Sequence, residues 1–175
     1  AALALFGAVS LGATAHMIHE SRLGYDEAYA FLAKEPTTRH VSTAAMISEV
    51  YLGRVAVDPP VDEAEMRARY DEGYRYVVVE PFAYYMKEFV RSAGDVLPDA
   101  ARYRAMGAMI DRVAERTLPV FIGEFPAADY AQGILEVEWR LRDAERFWRE
   151  SGAEASKIKI YDLADYYADE PHPSD

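Results

Sequence analysis

Hydrophobic and polar positions along this chain switch between a strand period and a helix period, and one stretch anchors the rest. Gly73-Tyr74-Arg75-Tyr76-Val77-Val78-Val79-Glu80-Pro81 carries three consecutive valines beside tyrosines. β-Branched and aromatic side chains fit a pleated surface. The run is continuous rather than alternating, so both of its faces are expected to be covered, the mark of a central strand between helices. Gly73 punctuates its start, and Pro81 ends it because proline cannot donate to a sheet ladder.

Around this strand the pattern predicts further elements. Tyr25 to Lys34 is a short amphipathic helix with Tyr25, Ala28, Tyr29 and Leu32 on one side, after a break at Gly24. Arg39 to Thr43 is a first strand. Ala44 to Leu52 is a helix ended by Gly53, a natural position for a left-handed cap, and Arg54 to Val57 is a brief strand before the rigid Asp58-Pro59-Pro60 turn. Asp62 to Glu72 is a surface helix in which Asp62 and Glu65 form a capping box. Phe82 to Ala93 carries an aromatic and methionine stripe that belongs to the core. Asp99 is expected to cap a long helix to about Arg116, with Tyr103, Met106, Ile110 and Val113 on one side. Pro119 to Phe125 is extended, helices follow within 127–138 and 141–150, and Lys157 to Leu163 alternates as an edge strand does. The expected fold is therefore α/β: three layers, a small and mostly parallel sheet flanked by helices, preceded by an apolar helix.

Composition divides the chain. Every Asp, Glu, Lys and Arg lies from Glu20 onward, and Ala1 to Ile18 is an apolar run rich in small residues. Eighteen residues at a 1.5 Å rise give roughly 27 Å, just short of the ~30 Å hydrocarbon core. Residues 1–20 are accordingly expected to be the end of a transmembrane segment, residues 24–165 an extramembrane α/β domain, and residues 166–175 an acidic disordered tail. The competing reading makes Ala1 to Ile18 a buried helix of a soluble domain. The net charge of −11 argues against nucleic acid, whose phosphates need a basic footprint. The chain has no cysteine, which excludes disulfides and cysteine-ligated zinc.

Catalytic motifs are missing. There is no G-x-G-x-x-G after a strand, no P-loop and no G-x-S-x-G elbow, so no cofactor is expected. His16 and His19 are spaced to share a helix face, as metal ligands do, but no third ligand stands at metal spacing, and polar flanking of an apolar helix accounts for them. Ser42 and Ser48 lie near His40 without the spacing of a nucleophilic triad. No catalytic residue is assigned. The carboxylate in the most suggestive position is Glu80, where the central strand emerges at its C-terminal end, the edge at which open α/β sheets bind ligands. Tyr84 and Tyr85 lie just beyond, and the three make up the expected ligand-binding set. Two plainer roles stand beside this one for Glu80: capping the helix that begins near Phe82, or pairing with an arginine.

Six short motifs, in order, give a resemblance. Tyr25-Asp26-Glu27-Ala28, Val41-Ser42, Tyr51-Leu52-Gly53, Pro59-Pro60, Gly73 to Val79, and Ile158 to Tyr161 resemble the C-terminal region of membrane glycosyltransferases of the dolichyl-phosphate-mannose protein mannosyltransferase type, the GT-C class. The resemblance covers nearly the whole chain and rests on scaffold motifs. It implies an accessory extramembrane domain on an enzyme that moves a sugar from a polyprenyl-phosphate donor. In that family the catalytic acid lies in an early extramembrane loop, far upstream of these motifs. The partners it implies are the membrane through the N-terminal helix, the remainder of the transferase, and a sugar or peptide acceptor. The competing function is a self-contained soluble α/β protein that binds a small ligand, or acts on one, near Glu80; a third reading is an interaction domain without a ligand.

Overall fold

A computed structural model describes residues 24–80, 83, 90, 99–124 and 157–168 of the chain. Their elements in chain order are α1 (Tyr25–Leu32), β1 (Arg39–Ser42), α2 (Ala45–Leu52), α3 (Glu63–Asp71), β2 (Tyr74–Val79), α4 (Ala100–Arg116), β3 (Phe121–Glu124), β4 (Lys157–Asp162) and the single turn α5 (Leu163–Tyr166). The strands form one sheet in the order β1-β2-β4-β3.

The valine run is the interior strand its composition calls for. Val77, Val78 and Val79 are 0%, 0% and 2% exposed. Successive strand residues point to opposite faces, so the run feeds two cores. Val77 and Val79 join Val41, Met66, Met109, Val113, Tyr161 and Leu163 on the face covered by α3, α4 and α5. Tyr76 and Val78 join Tyr25, Ala28, Tyr29, Leu32, Ile158 and Ile160 on the face covered by α1. Helices on both faces of a small sheet make the three layers expected.

The sheet is mixed, not mostly parallel. β1 and β2 run parallel, with Arg39 opposite Tyr74 and Ser42 opposite Val78. β4 runs antiparallel to both β2 and β3. The segment 157–163, expected at an edge, is therefore interior. Its alternation is real: Ile158 and Ile160 are fully buried, while Lys157 and Lys159 at the alternate positions are half-buried. Long lysine stems can lie along apolar surface with their heads in water, so a lysine-bearing strand need not be an edge.

Local signals behave as their chemistry requires. Asp62 accepts a hydrogen bond from the Glu65 amide at 2.8 Å, and the Glu65 side chain reaches back to the Val61 amide at 3.1 Å, one residue ahead of the ideal capping box. Gly53 ends α2 in the left-handed region at φ 67. Asp99 differs from expectation: it precedes α4 at φ 61 and makes no side-chain cap. The buried residues of α4 are Ala100, Met109 and Val113, with Ile110 packed against them, while Tyr103 is exposed. Arg54 to Val57 contributes one bridge, Val57 to Val41, and no strand. Tyr166 and Tyr167, assigned to a disordered tail, are core residues, because their rings pack on the α3 side and their hydroxyls donate to Glu63 at 2.7 and 3.1 Å.

No helix among the described residues is long and apolar enough to cross a membrane. The apolar run 1–18, most of the helix expected at 82–93, those within 127–138 and 141–150, and the tail beyond Ala168 lie outside the described residues.

Candidate functional site

Glu80 follows directly on β2, and the parallel neighbour β1 ends beside it at Ser42. That register brings the Ser42-Thr43-Ala44 turn around the carboxylate, and α1 supplies Tyr29 from the covered face. Ser42 Oγ donates to Glu80 at 2.9 and 3.0 Å, Thr43 Oγ1 donates at 2.7 Å, and the Ala44 amide donates at 2.7 Å. Tyr29 Oη donates to Glu80 Oε1 at 3.1 Å. The Glu80 amide in turn donates to Thr43 Oγ1 at 2.9 Å. Four donors therefore meet the roughly four lone-pair sites of one carboxylate.

This arrangement is closed. Glu80 is 0% exposed, so it presents no surface to a ligand. Burial pushes its carboxyl up from the ordinary value, and the hydrogen bonds from Thr43, Ser42, Ala44 and Tyr29 oppose that shift. The Tyr29 phenol is raised as well, first by burial and then by the Glu80 charge. Of the two plainer roles, pairing with arginine does not occur among the described residues, where the donors to the Glu80 carboxylate are hydroxyls and an amide from α1 and the end of β1. The start of the following helix, which Glu80 was expected to cap, lies largely outside the described residues, although the Glu80 carbonyl accepts the Ala83 amide at 2.9 Å. Tyr84 and Tyr85, the other two members of the expected set, lie outside the described residues, as do His16 and His19.

A second polar pair sits on β1 and α2. Ser48 Oγ lies 2.9 Å from His40 Nε2, so the structure does bring together a serine and the histidine that their spacing did not link. Among the described residues no acid completes a triad with them. The acid nearest the end of β1, Glu80, bonds Ser42, Thr43 and Tyr29 instead. Ser48 is 0% and His40 3% exposed, so neither can meet a substrate. Burial, and secondarily the charge of Arg54, lowers the His40 imidazole to about 4, which keeps it neutral near pH 7. The ring of Tyr29 stands edge-on to His40 at 6.2 Å and stacks on Tyr51 at 5.0 Å and 7°. Together these groups bind α1 and α2 to the sheet.

Open space lies at the opposite end of the parallel pair. Arg39, His40, Arg54, Val55, Ala56 and Tyr74 line a cavity of ≈ 190 Å³. A shallower one of ≈ 470 Å³ adjoins it at Tyr74 and is bounded by Thr37, Thr38, Tyr70, Gly73, Arg75 and Ala164. Sequence reasoning placed the ligand edge at the C-terminal end of β2 and missed this end. The one available signal was a pair of arginines, Arg39 and Arg54, flanking two strand-like segments in an acidic chain. Among the described residues no group of three or more His, Asp or Glu side chains is placed to hold a metal ion.

The arrangement around Glu80 and His40 fixes geometry; it offers no exposed nucleophile, base or acid. No family model, no curated protein and no solved structure matches the chain.

Proposed function

We propose that this chain is an extramembrane accessory domain of a membrane glycosyltransferase that uses a polyprenyl-phosphate sugar donor, and that it is not catalytic by itself. One observation supports the reading: five of the six short motifs behind the resemblance lie together in space. Tyr25 and Ala28, Tyr51 and Leu52, Tyr76 and Val78, and Ile158 and Ile160 belong to one packed cluster. Val41 and Ser42 pair with Val77 and Val78 in the sheet beside it, and Gly53 ends the helix that carries Tyr51. Motifs that encode one scaffold are expected to converge in this way.

The chemistry agrees with an accessory role. Transfer from a lipid phosphate needs a base held within hydrogen-bond reach of the acceptor. The carboxylate best placed by sequence, Glu80, is sealed by four donors. That also argues against the competing function, a self-contained protein with its site at Glu80. In this reading the run Ala1 to Ile18 leads out of the membrane, and the remainder of the transferase supplies the catalytic acid and the lipid groove.

The test is twofold. The gene should encode several apolar spans ahead of Ala1; a start codon close to that position would overturn the proposal. The isolated chain should show no transfer from a panel of polyprenyl-phosphate sugars, and turnover above background would make it an enzyme in its own right.

A further inference from the structure

Arginine is unevenly satisfied in this molecule. At the end of the sheet where β1 and β2 begin, Arg75 forks onto Asp162 and also meets Glu35, and Arg69 pairs with Glu72. Those contacts commit the nearby carboxylates; Glu35 is further held by Tyr76 and Thr38. Two arginines at this end remain without a carboxylate among the described residues. Arg39 lies over the Tyr74 ring with its guanidinium carbon 5.6 Å from the centroid. Arg54 donates to the carbonyls of Pro36 and Thr38 at 2.8 and 2.9 Å. Both line the ≈ 190 Å³ cavity, and among the described residues no acidic side chain lines it with them.

We propose that this cavity binds a phosphate group, presented as inorganic phosphate, as a phosphate monoester or as the headgroup of a lipid monophosphate. Three features carry the assignment. First, the charge is uncompensated. Neutral carbonyls hold Arg54 in place without cancelling its charge, and a ring face does the same for Arg39. In a chain of net charge −11, two unpaired guanidinium groups sharing one recess are a local reversal of the surface field. Second, the donors are preorganised. A guanidinium has five N–H donors, and the two carbonyl bonds occupy only part of the Arg54 set. Holding Arg54 in place in advance lowers the ordering cost of binding. Third, the count fits phosphate better than carboxylate. Two cations match the double charge of a phosphate dianion, where one carboxylate would leave one of them uncompensated, and the tetrahedral oxygens can take N–H groups from two separate directions. Val55, Ala56 and Tyr74 give the recess an apolar wall, which suits a phosphate carried on an organic body. The inference stands on the cavity alone and does not depend on the transferase reading.

His40 provides a reporter, because it is among the residues that border the cavity and its buried imidazole feels the charge of Arg54. The experiment is an NMR titration of the whole chain with inorganic phosphate, with a soluble sugar phosphate, and with phosphatidylcholine vesicles containing polyprenyl monophosphate. Ionic strength is held constant with chloride. A saturable shift of the Arg39 and Arg54 side-chain N–H signals is expected, together with an upward move of the His40 titration. Arg39→Gln should weaken binding about tenfold or more, as loss of a charge-assisted contact does. Arg39→Lys, which keeps the charge and loses the fork, should fall between. Arg112→Gln, on α4, should bind as the parent does. Binding of the soluble phosphates that is lost in Arg39→Gln supports the site and names a free phosphate ester as its source. Binding confined to the vesicles and lost in the same variant supports it with a lipid headgroup as source. No saturable binding in any arm, or binding that Arg39→Gln leaves unchanged, overturns it.

Discussion

The phenol of Tyr29 on the first helix and the carboxylate of Glu80 at the end of the central strand are hydrogen-bonded at 3.1 Å inside the fully buried layer between helix and sheet. The bond joins two elements that share no covalent neighbourhood, and it works together with three donors from the Ser42-Thr43-Ala44 turn. Glu80→Ala would take the shared acceptor from three hydroxyl donors and leave the Ala44 amide only its contact with Ser42 Oγ at 3.1 Å. The expected cost is about 3–5 kcal/mol, the range for breaking a buried polar arrangement from one side. Tyr29→Phe removes one donor of four and should cost about 1 kcal/mol. Urea unfolding of the two variants checks this; a Glu80→Ala protein with an unchanged midpoint would show that the carboxylate does not hold the turn.

A pH dependence follows from His40. Its folded value, about 4, lies below the ordinary value of 6.5, so between these pH values the unfolded chain binds more protons than the folded one. Stability contributed by the neutral ring is therefore fully present above pH 6.5 and is lost as pH falls toward 4. The loss amounts to about 3 kcal/mol at about 1.4 kcal/mol per unit. His40→Gln should remove that slope from a plot of unfolding free energy against pH while the carboxylates still titrate. A variant curve parallel to that of the parent between pH 4 and 6.5 would contradict the assignment.

Val78 lies on the α1 side of the sheet, opposite Ser42 on one strand and Ile160 on the other, and is fully buried. Val78→Asp places an unpaired carboxylate there at a cost of several kcal/mol, enough to unfold a domain of ordinary stability. Val78→Ala should cost about 1–3 kcal/mol, since it removes two methyl groups from a packed site. Circular dichroism melts separate the two outcomes, and a V78D protein that melts with the parent would remove β2 from the centre of the sheet.

Asp162 does two jobs at the end of β4. It takes the Arg75 fork at 2.8 to 3.2 Å and accepts the Ala164 amide at 2.9 Å as cap of α5. Arg75 is substantially exposed, so little of the ion pair survives screening, and the cap should dominate. Asp162→Asn keeps a capping acceptor and should lose under about 1 kcal/mol, while Asp162→Ala should lose about 1–2 kcal/mol. Equal losses in a chemical-denaturation comparison would place the weight on the charge instead.

How far the chain was readable follows from the range of each interaction. The valine run, the Asp62–Glu65 cap and the Gly53 stop are set within a few residues, and each appears where its local chemistry demands. The position of β4 was not readable, because whether Lys157 to Leu163 is interior depends on β3 pairing with it from 121–124, and lysines at alternate positions suit an edge equally well. Glu80 was found as a residue but not as a role. Its four donors come from 29 and 42–44, and nothing around residue 80 announces them. The acidic composition after Tyr166 masked two tyrosines whose partner, Glu63, lies about a hundred residues earlier. Arg39 and Arg54 share a recess only because β1 and the segment after α2 converge.

The strand order has a consequence for how the chain is made. β2 is flanked by β1 and β4, and β1 leaves the ribosome before it, but β4 follows only after roughly 80 further residues. At a synthesis rate of about 5–20 residues per second, the Tyr76–Val79 backbone waits on the order of ten seconds with one side unpaired. During that interval a nascent chain carries an open, valine-rich edge of the kind that recruits other strands. Translation halted before Lys157 should yield chains that depend on holding chaperones, and β4 would act in the cell as the stopper that makes the nascent domain safe to release.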